Sequence, residues 1–184
     1  MSLPLTWIDR TDFARYALLP EHLVSEWTGA EADDVIGEYA EAVRFAGHDV
    51  LVLGGEPLPI AWFPDNLVFA RWIYADDDGS LRSALEPALA GGAWEDAVTV
   101  ELGGRYVLTD AGYDGERILG LDGTQQSPEL VRIELPAGRY LVQSLLVEPD
   151  PESAFYLERL LPLAPAERQS EAASRRVSAT AVRA

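Results

Sequence analysis

The sequence predicts an α+β fold built mainly on an antiparallel β-sheet of about nine short strands, with two or three short helices. Short apolar runs rich in β-branched and aromatic residues recur along the chain, separated by turns that contain Gly and Pro. Few segments place apolar residues at helical spacing. Strands therefore outnumber helices, which is typical of a fold dominated by one antiparallel sheet.

The densest apolar stretch, residues 50–78, predicts three of these strands. Its apolar runs are Val50–Leu53, Ile60–Phe63 and Leu67–Ala75. Gly and Pro residues separate the runs, so we expect a short antiparallel meander that nucleates the core. The prolines also confine the runs to short pieces or to sheet edges.

The segments before this stretch predict an edge strand, short helices and a hairpin. Leu5–Asp9 fits a short edge strand, and Pro20 suits the first position of a short helix because its missing amide costs nothing there. From residue 33 the pattern is ambiguous, and we expect a short helix followed by a strand from about Tyr39 to Phe45. The chain then turns into the strand at Val50.

After residue 78, one helix and a pair of strands are predicted. Leu81–Leu89 carries an apolar face interrupted by Pro87, so we expect a helix that is kinked or starts late. Trp94–Leu102 and Arg105–Thr109 predict two strands joined by a hairpin turn at Gly103–Gly104.

The last third of the sequence predicts a glycine-rich acidic loop and three more strands. The loop follows residue 110 and is expected to bury Ile118 and Leu119. Strands are predicted at Leu130–Leu135, Arg139–Val147 and Phe155–Leu163. The first two are expected to meet in a hairpin at the intervening Pro-Ala-Gly.

Length and composition predict one domain with a tail. We expect a single α+β domain over residues 1–163, large enough to bury a substantial core. Residues 164–184 are rich in Ala, Ser and Arg and contain no aromatic residue. This tail is expected to be helical or weakly ordered, and either solvated or docked on the acidic domain.

Acidic residues dominate the charge balance. The chain has 31 Asp and Glu against 14 basic residues, all of them arginine, and a formal net charge of −17. Such a field repels nucleic acid and anionic membranes and attracts cationic partners, although it also favours solubility alone. No apolar run approaches the roughly 20 residues that span a bilayer, and the start lacks a signal-peptide pattern. The cytoplasm is the simplest compartment.

No motif predicts a catalytic, metal or cofactor site. The sequence has no cysteine for a thiolate or a zinc ligand, and no lysine for a Walker loop. His22 and His48, the only histidines, are expected at the surface. Residues 110–121 begin like a calcium loop but have Gly112 at the third position and Leu121 at the twelfth. A catalytic pair of carboxylates, of the kind that hydrolases use, remains an open alternative, because a chain with so many acidic residues always contains some pair that could serve.

One strand favours contact with a protein. Alternation places Phe69, Arg71 and Ile73 on one side of this strand, and Trp72 and Tyr74 on the other. A face with Trp and Tyr beside acidic residues suits a cationic protein partner, because interface hot spots favour Trp, Tyr and Arg. Core packing is the other interpretation of these aromatic residues.

Several short blocks follow one another in the order of a known family. The blocks are Thr6–Asp9, Leu19–Pro20, Trp27 to Gly29, Leu51–Leu58, Arg71–Asp76, Trp94–Glu95, Leu108–Ala111 and Leu135–Tyr140. In this order and spacing, residues 5–160 resemble immunity protein family 21 of bacterial polymorphic toxin systems. The chain departs from the family pattern at Gly55, where the family has aspartate.

The resemblance implies a non-enzymatic protein that binds and neutralises a cognate toxin, often a nuclease. Because a nuclease holds phosphates in a basic cleft, an acidic inhibitor would be steered towards it. We therefore expect a cytoplasmic immunity protein with a basic toxin as partner, and no nucleic acid, membrane or cofactor. The alternatives are a carboxylate- or metal-assisted hydrolase, and a binding module or homo-oligomer subunit. The candidate toxin-binding residues are Glu56, Asp65, Trp72, Asp76, Asp77, Asp78 and Asp114.

Overall fold

One antiparallel sheet of nine strands carries the fold, as the sequence predicts. The structure, a computed structural model, describes residues 5–9, 15–29, 40–121 and 128–164. The strands are β1 (Trp7–Ile8), β2 (Arg15–Pro20), β3 (Glu41–Phe45), β4 (His48–Gly54), β5 (Ile60–Phe63), β6 (Val68–Tyr74), β7 (Glu95–Asp110), β8 (Leu130–Asp150) and β9 (Ser153–Pro162). The helices are a 3-10 helix (Glu21–Glu26), α1 (Gly79–Gly91) and α2 (Gly115–Gly120).

The strands do not lie in the sheet in chain order. Their order is β1-β5-β6-β9-β8-β7-β2-β4-β3, with every pair antiparallel. β1 and β3 form the two edges, whereas β9, the last of the described strands, lies inside the sheet between β6 and β8. The short helix expected from residue 33 lies outside the described residues, and so does the tail expected at residues 164–184 apart from its first residue.

The sheet folds back on itself around a central apolar cluster. Ile8 and Ile60, from strands near one edge, belong to the same cluster as Leu53, from a strand near the other edge. These side chains can share a cluster only if the inner faces of the two ends of the sheet approach each other. The Tyr16 hydroxyl bridges the two ends by donating a hydrogen bond of 2.9 Å to the carbonyl oxygen of Leu58.

Helices cover the outer face of the sheet at both ends. Val24, after β2, and Ile118 of α2 pack into a second apolar cluster on the outer side of β2 and β4. Leu81 and Leu85 of α1 pack into a third cluster with Phe155 of β9. Both faces of β2, β4, β6 and β9 are therefore largely buried, which explains why their sequences are apolar runs rather than strict alternations. No helix in the described ranges is both long and apolar enough to cross a membrane.

Two long strands, β7 and β8, occupy the residues for which the sequence predicts four short strands. The predicted hairpins at Gly103–Gly104 and at residues 136–138 are wrong, because β7 and β8 run through both positions as continuous strands. Their pairing shifts register between Leu102 and Gly104. A Cβ atom on Gly103 would lie 2.6 Å from the Cα of Ala137. These glycines therefore permit a close approach of two strands at an irregularity, and they do not reverse the chain.

The meander predicted for residues 50–78 is half correct. β5 and β6 pair as expected, but β4 pairs with β2 and β3 instead of β5. Gly54, at a φ of 115°, ends β4 in a conformation that favours glycine. Residues 55–59 then cross from one end of the folded sheet to the other, and their prolines withhold amides from any ladder.

Other predicted elements are confirmed or adjusted at their ends. The hairpin between β3 and β4 is confirmed, with Ala46 at a φ of 47° and Gly47 at 83°. Pro20 ends β2 and precedes the 3-10 helix, instead of being its first residue. Helix α1 tolerates Pro87 in its interior. Ile118 is buried as expected, but Leu119 is 66% exposed because α2 turns it away from the cluster.

Candidate functional site

A cleft of about 820 Å³ lies on the inner face of the sheet. One wall is the crossing segment between β4 and β5, which contributes Glu56. The floor and the other walls come from neighbouring strands, through Arg71 of β6, Ser144 of β8 and Tyr156 of β9. The volume falls within the range of about 300–1,000 Å³ that is typical of ligand-binding pockets.

A buried ion pair lies at the base of the cleft. Nη2 of Arg71 donates a hydrogen bond of 3.1 Å to Oε1 of Glu158, and the two side chains are 4% and 0% exposed. The guanidinium carbon of Arg71 also lies 4.7 Å from the ring centre of Tyr156. Burial raises the pKa of the Glu158 carboxyl, while the charge and the hydrogen bond of Arg71 oppose this rise.

Three buried polar atoms around this pair lack hydrogen-bond partners in the described part of the chain. They are Nε of Arg71, Oε2 of Glu158 and Oγ of Ser144. Ser144 is the cross-strand neighbour of Glu158, so all three atoms belong to adjoining positions of β6, β9 and β8. Buried polar groups are nearly always paired, and an unpaired one costs about 1–3 kcal/mol. The base of the cleft thus has unused hydrogen-bonding capacity.

Apolar and acidic side chains surround the mouth. Ile73 and Leu146 line the cleft and are 37% and 51% exposed, and neighbouring Tyr74 is 46% exposed. The pairing of β6 with β9 shifts register between Trp72 and Tyr74, at the point where these apolar residues become exposed. The exposed Glu56 and Glu95 also line the cleft. Exposed apolar residues with polar neighbours are typical of interaction surfaces.

Glu56 is the member of the seven candidate toxin-binding residues that lines this cleft. Asp65 is exposed in the turn between β5 and β6, at the end of β5 away from Glu56. Asp76 and Asp77 are exposed in the segment that follows β6, three and four residues after Ile73. The structure thus associates Glu56 with the cleft and leaves Asp65 apart from it.

The remaining candidates make contacts within the domain. Trp72 lies on the outer face, with its ring centre 5.3 Å from that of Trp7 and 5.5 Å from that of Phe155. This position agrees with the core-packing interpretation of Trp72. Asp77 accepts a hydrogen bond of 2.8 Å from the amide of Gly79, where α1 begins.

Asp78 and Asp114 support helix starts. Oδ2 of Asp78 accepts a hydrogen bond of 3.0 Å from Nη2 of Arg82, one turn along α1. Oδ1 of Asp114 accepts a hydrogen bond of 2.8 Å from the amide of Arg117, so Asp114 is the N-cap of α2. Each of these carboxylates therefore has a local structural role, whatever it contacts beyond the domain.

Sequence reasoning missed Arg71, Ser144 and Glu158. One signal for Arg71 was present, because alternation places this arginine on the same strand face as Phe69, which is fully buried. A charge in an apolar stripe indicates a buried pair. Its partner lies 87 residues further along the chain, and no local pattern connects the two.

The described residues include no group of three or more His, Asp or Glu arranged to hold a metal ion. His22 and His48 are both exposed, as predicted, and their rings lie edge to face with centres 5.0 Å apart. The buried acids Glu158 and Asp110 do not line the cleft, and the acids that do line it are exposed.

Comparison with known proteins gives one match. No curated protein and no solved structure matches the chain significantly. The family model described as immunity protein 21 matches residues 7–153, which include eight complete strands and all three helices. The match covers the strands that form the cleft as far as the first residue of β9, and it spans the sequence blocks from residue 7 onwards. This chain therefore belongs to the immunity protein 21 family.

Proposed function

We propose that this protein is a non-enzymatic immunity protein that binds and neutralises a cognate bacterial toxin. The observation that carries the proposal is family membership over residues 7–153. An immunity protein acts by binding its toxin, so it needs a stable folded surface and no catalytic groups. The nine-stranded sheet, with apolar clusters packed against both of its faces, is such a folded scaffold, and its exposed side chains supply the surface.

We further propose that the toxin is basic, of the nuclease type, and that the two proteins meet in the cytoplasm. The support for a basic toxin is electrostatic. A formal net charge of −17 raises the rate of encounter with a cationic protein, and it opposes binding to the nucleic acid that a nuclease attacks. An acidic protein that covers a basic nuclease cleft excludes the phosphates that this cleft would otherwise hold.

Co-expression tests the function directly. The product of the neighbouring gene, as the candidate toxin, is produced in a bacterial host, alone and together with this protein. We expect growth arrest in the first case, growth in the second, and a stable complex in a pulldown. Growth arrest that persists at high levels of this protein, together with no complex, would show that it is not the immunity protein for that toxin.

The hydrolase alternative has weaker support. It predicts a pocket lined by two or more buried acids with shifted pKa values. The two acids that line the cleft, Glu56 and Glu95, are exposed. The buried Glu158 has a raised pKa, but its hydrogen bond engages it with Arg71 beneath the cleft.

A further inference from the structure

We propose that the cleft between residues 55–58 and strands β6, β8 and β9 is where the partner protein docks. The occupant is a segment of the toxin that carries a basic side chain. Its cation lies at the mouth near Glu56 and Glu95, and a main-chain carbonyl oxygen of the same segment reaches the base at Arg71 and Ser144. This inference rests on the proposed function and specifies its site.

Size and apolar surface favour a protein segment as the occupant. A volume of about 820 Å³ accommodates more than one side chain. Ile73 and Leu146 leave 37% and 51% of their surfaces exposed at the mouth. A bound segment would remove this apolar surface from water, at about 25 cal/mol for each Å² buried.

Charge selects a basic segment. Glu56 and Glu95 both line the cleft and are exposed, whereas the one arginine that lines it, Arg71, is already paired with the buried Glu158. The mouth therefore carries negative charge without a compensating cation among the residues that line it. An arginine or lysine side chain can lay its aliphatic stem along Ile73 and Leu146 and keep its charge at these carboxylates.

The base of the cleft supplies the second, independent indication of a ligand. Arg71 and Ser144 line the cleft, each is 3% exposed, and each has a polar atom without a partner among the described residues. Nε of Arg71 and the Ser144 hydroxyl are both hydrogen-bond donors. A carbonyl oxygen of the bound segment would accept from either after a small side-chain rotation, and this contact would relieve an unpaired buried group.

Three substitutions test the site in the full chain with the candidate toxin. We expect Glu56→Gln and Glu95→Gln each to raise the Kd about fivefold or less, as for exposed ion pairs. Ser144→Ala is expected to raise it by about fivefold to tenfold through loss of one hydrogen bond. Calorimetry or biolayer interferometry measures the affinity. Glu134→Gln is the matched control, since Glu134 is exposed and lies on β8 outside the cleft.

The same variants distinguish an effect on folding from an effect on binding. Ser144→Ala removes a buried hydroxyl that lacks a partner, so the unfolding midpoint of the free protein is expected to stay the same or rise. If the wild type binds the toxin and all three cleft variants bind it with the same affinity, the docking site is overturned and the immunity function is left intact. Absence of wild-type binding would overturn the function instead. Self-association that is lost in the cleft variants would assign the cleft to a second copy of this chain.

A small probe tests the cleft without the toxin. Acetyl-arginine methylamide carries both a guanidinium and main-chain carbonyl groups, and acetyl-citrulline methylamide has nearly the same shape without the charge. In NMR titrations, we expect the arginine probe to shift the amide signals of Glu56, Glu95 and Tyr156, and the citrulline probe to shift them less. Equal shifts with both probes, or shifts elsewhere in the molecule, would overturn the inference.

Discussion

Among individual residues, Glu158 is the one whose burial most directly makes the stability of the protein depend on pH. Its carboxyl is fully buried, and burial raises its pKa above the ordinary value of 4.5 in spite of Arg71. Between the unfolded and folded pKa values, the native state therefore holds a proton that the unfolded state has released. The contribution of this group to stability is complete below pH 4.5 and is lost as the pH rises through the folded pKa.

We predict that Glu158→Gln becomes more stable than the wild type as the pH rises. At pH 4 the amide and the protonated carboxyl are close isosteres, so the free energies of unfolding should be similar. Above the folded pKa only the wild type buries a carboxylate, and the variant gains about 1.4 kcal/mol for each unit by which the pKa is raised. Urea unfolding of both proteins from pH 4 to 8 measures the difference.

The opposite outcome has a clear meaning. Removal of one partner from a favourable buried ion pair usually costs about 3–5 kcal/mol. A variant that loses this much stability at neutral pH would show that attraction to Arg71 outweighs the cost of burying the carboxylate.

Asp114 allows its structural and its proposed binding roles to be separated. We predict that Asp114→Ala lowers the free energy of unfolding by about 1 kcal/mol, because α2 loses its N-cap hydrogen bond. Asp114→Asn keeps a good capping residue and removes only the charge. Chemical denaturation and toxin affinity are measured for both variants. A Kd that rises in the asparagine variant with unchanged stability would support direct contact with the toxin, and an unchanged Kd would remove Asp114 from the interface.

Among the elements, the long antiparallel pair of β7 and β8 has a close approach at Gly103. We predict that Gly103→Ala lowers the free energy of unfolding by about 1–3 kcal/mol, because the new methyl group would lie 2.6 Å from the Cα of Ala137. Thermal unfolding measures the loss. Gly120→Ala is the control, since nothing lies within 4 Å of a Cβ there, and it should be neutral or slightly stabilising. Equal stability of both variants would show that the two strands can move apart at no cost.

Local signals predicted the elements better than their connections. The β3–β4 hairpin follows from a turn signal between two apolar runs, and it is present. The same reasoning failed at Gly103–Gly104, because a Gly pair suits a strand irregularity as well as a turn. The cleft was harder to predict. The sequence carries a signal for Arg71, an arginine in an apolar stripe, although sequence reasoning did not use it. Ser144 and Glu158 become neighbours of Arg71 only through pairings between β6, β9 and β8.

At the scale of the whole molecule, the excess of acidic residues should govern how fast the partner binds. We predict that the association rate with a basic toxin falls about tenfold or more between 50 mM and 500 mM salt, because screening weakens the attraction over distance. The dissociation rate should change much less. Stopped-flow fluorescence measures both rates. An association rate that is independent of salt would contradict steering by the net charge of −17.

The interior position of β9 has a consequence for synthesis of the protein. Residues 153–162 leave the ribosome after the other eight strands that the structure describes, yet they join β6 to β8 in the sheet. Until they emerge, β1, β5 and β6 have no ladder to the remaining strands, and the shared core cannot close. A chain interrupted before this point is therefore expected to be a substrate for proteases and not a partly protective protein. Under the proposed function, protection begins only after residues 153–162 have been synthesised.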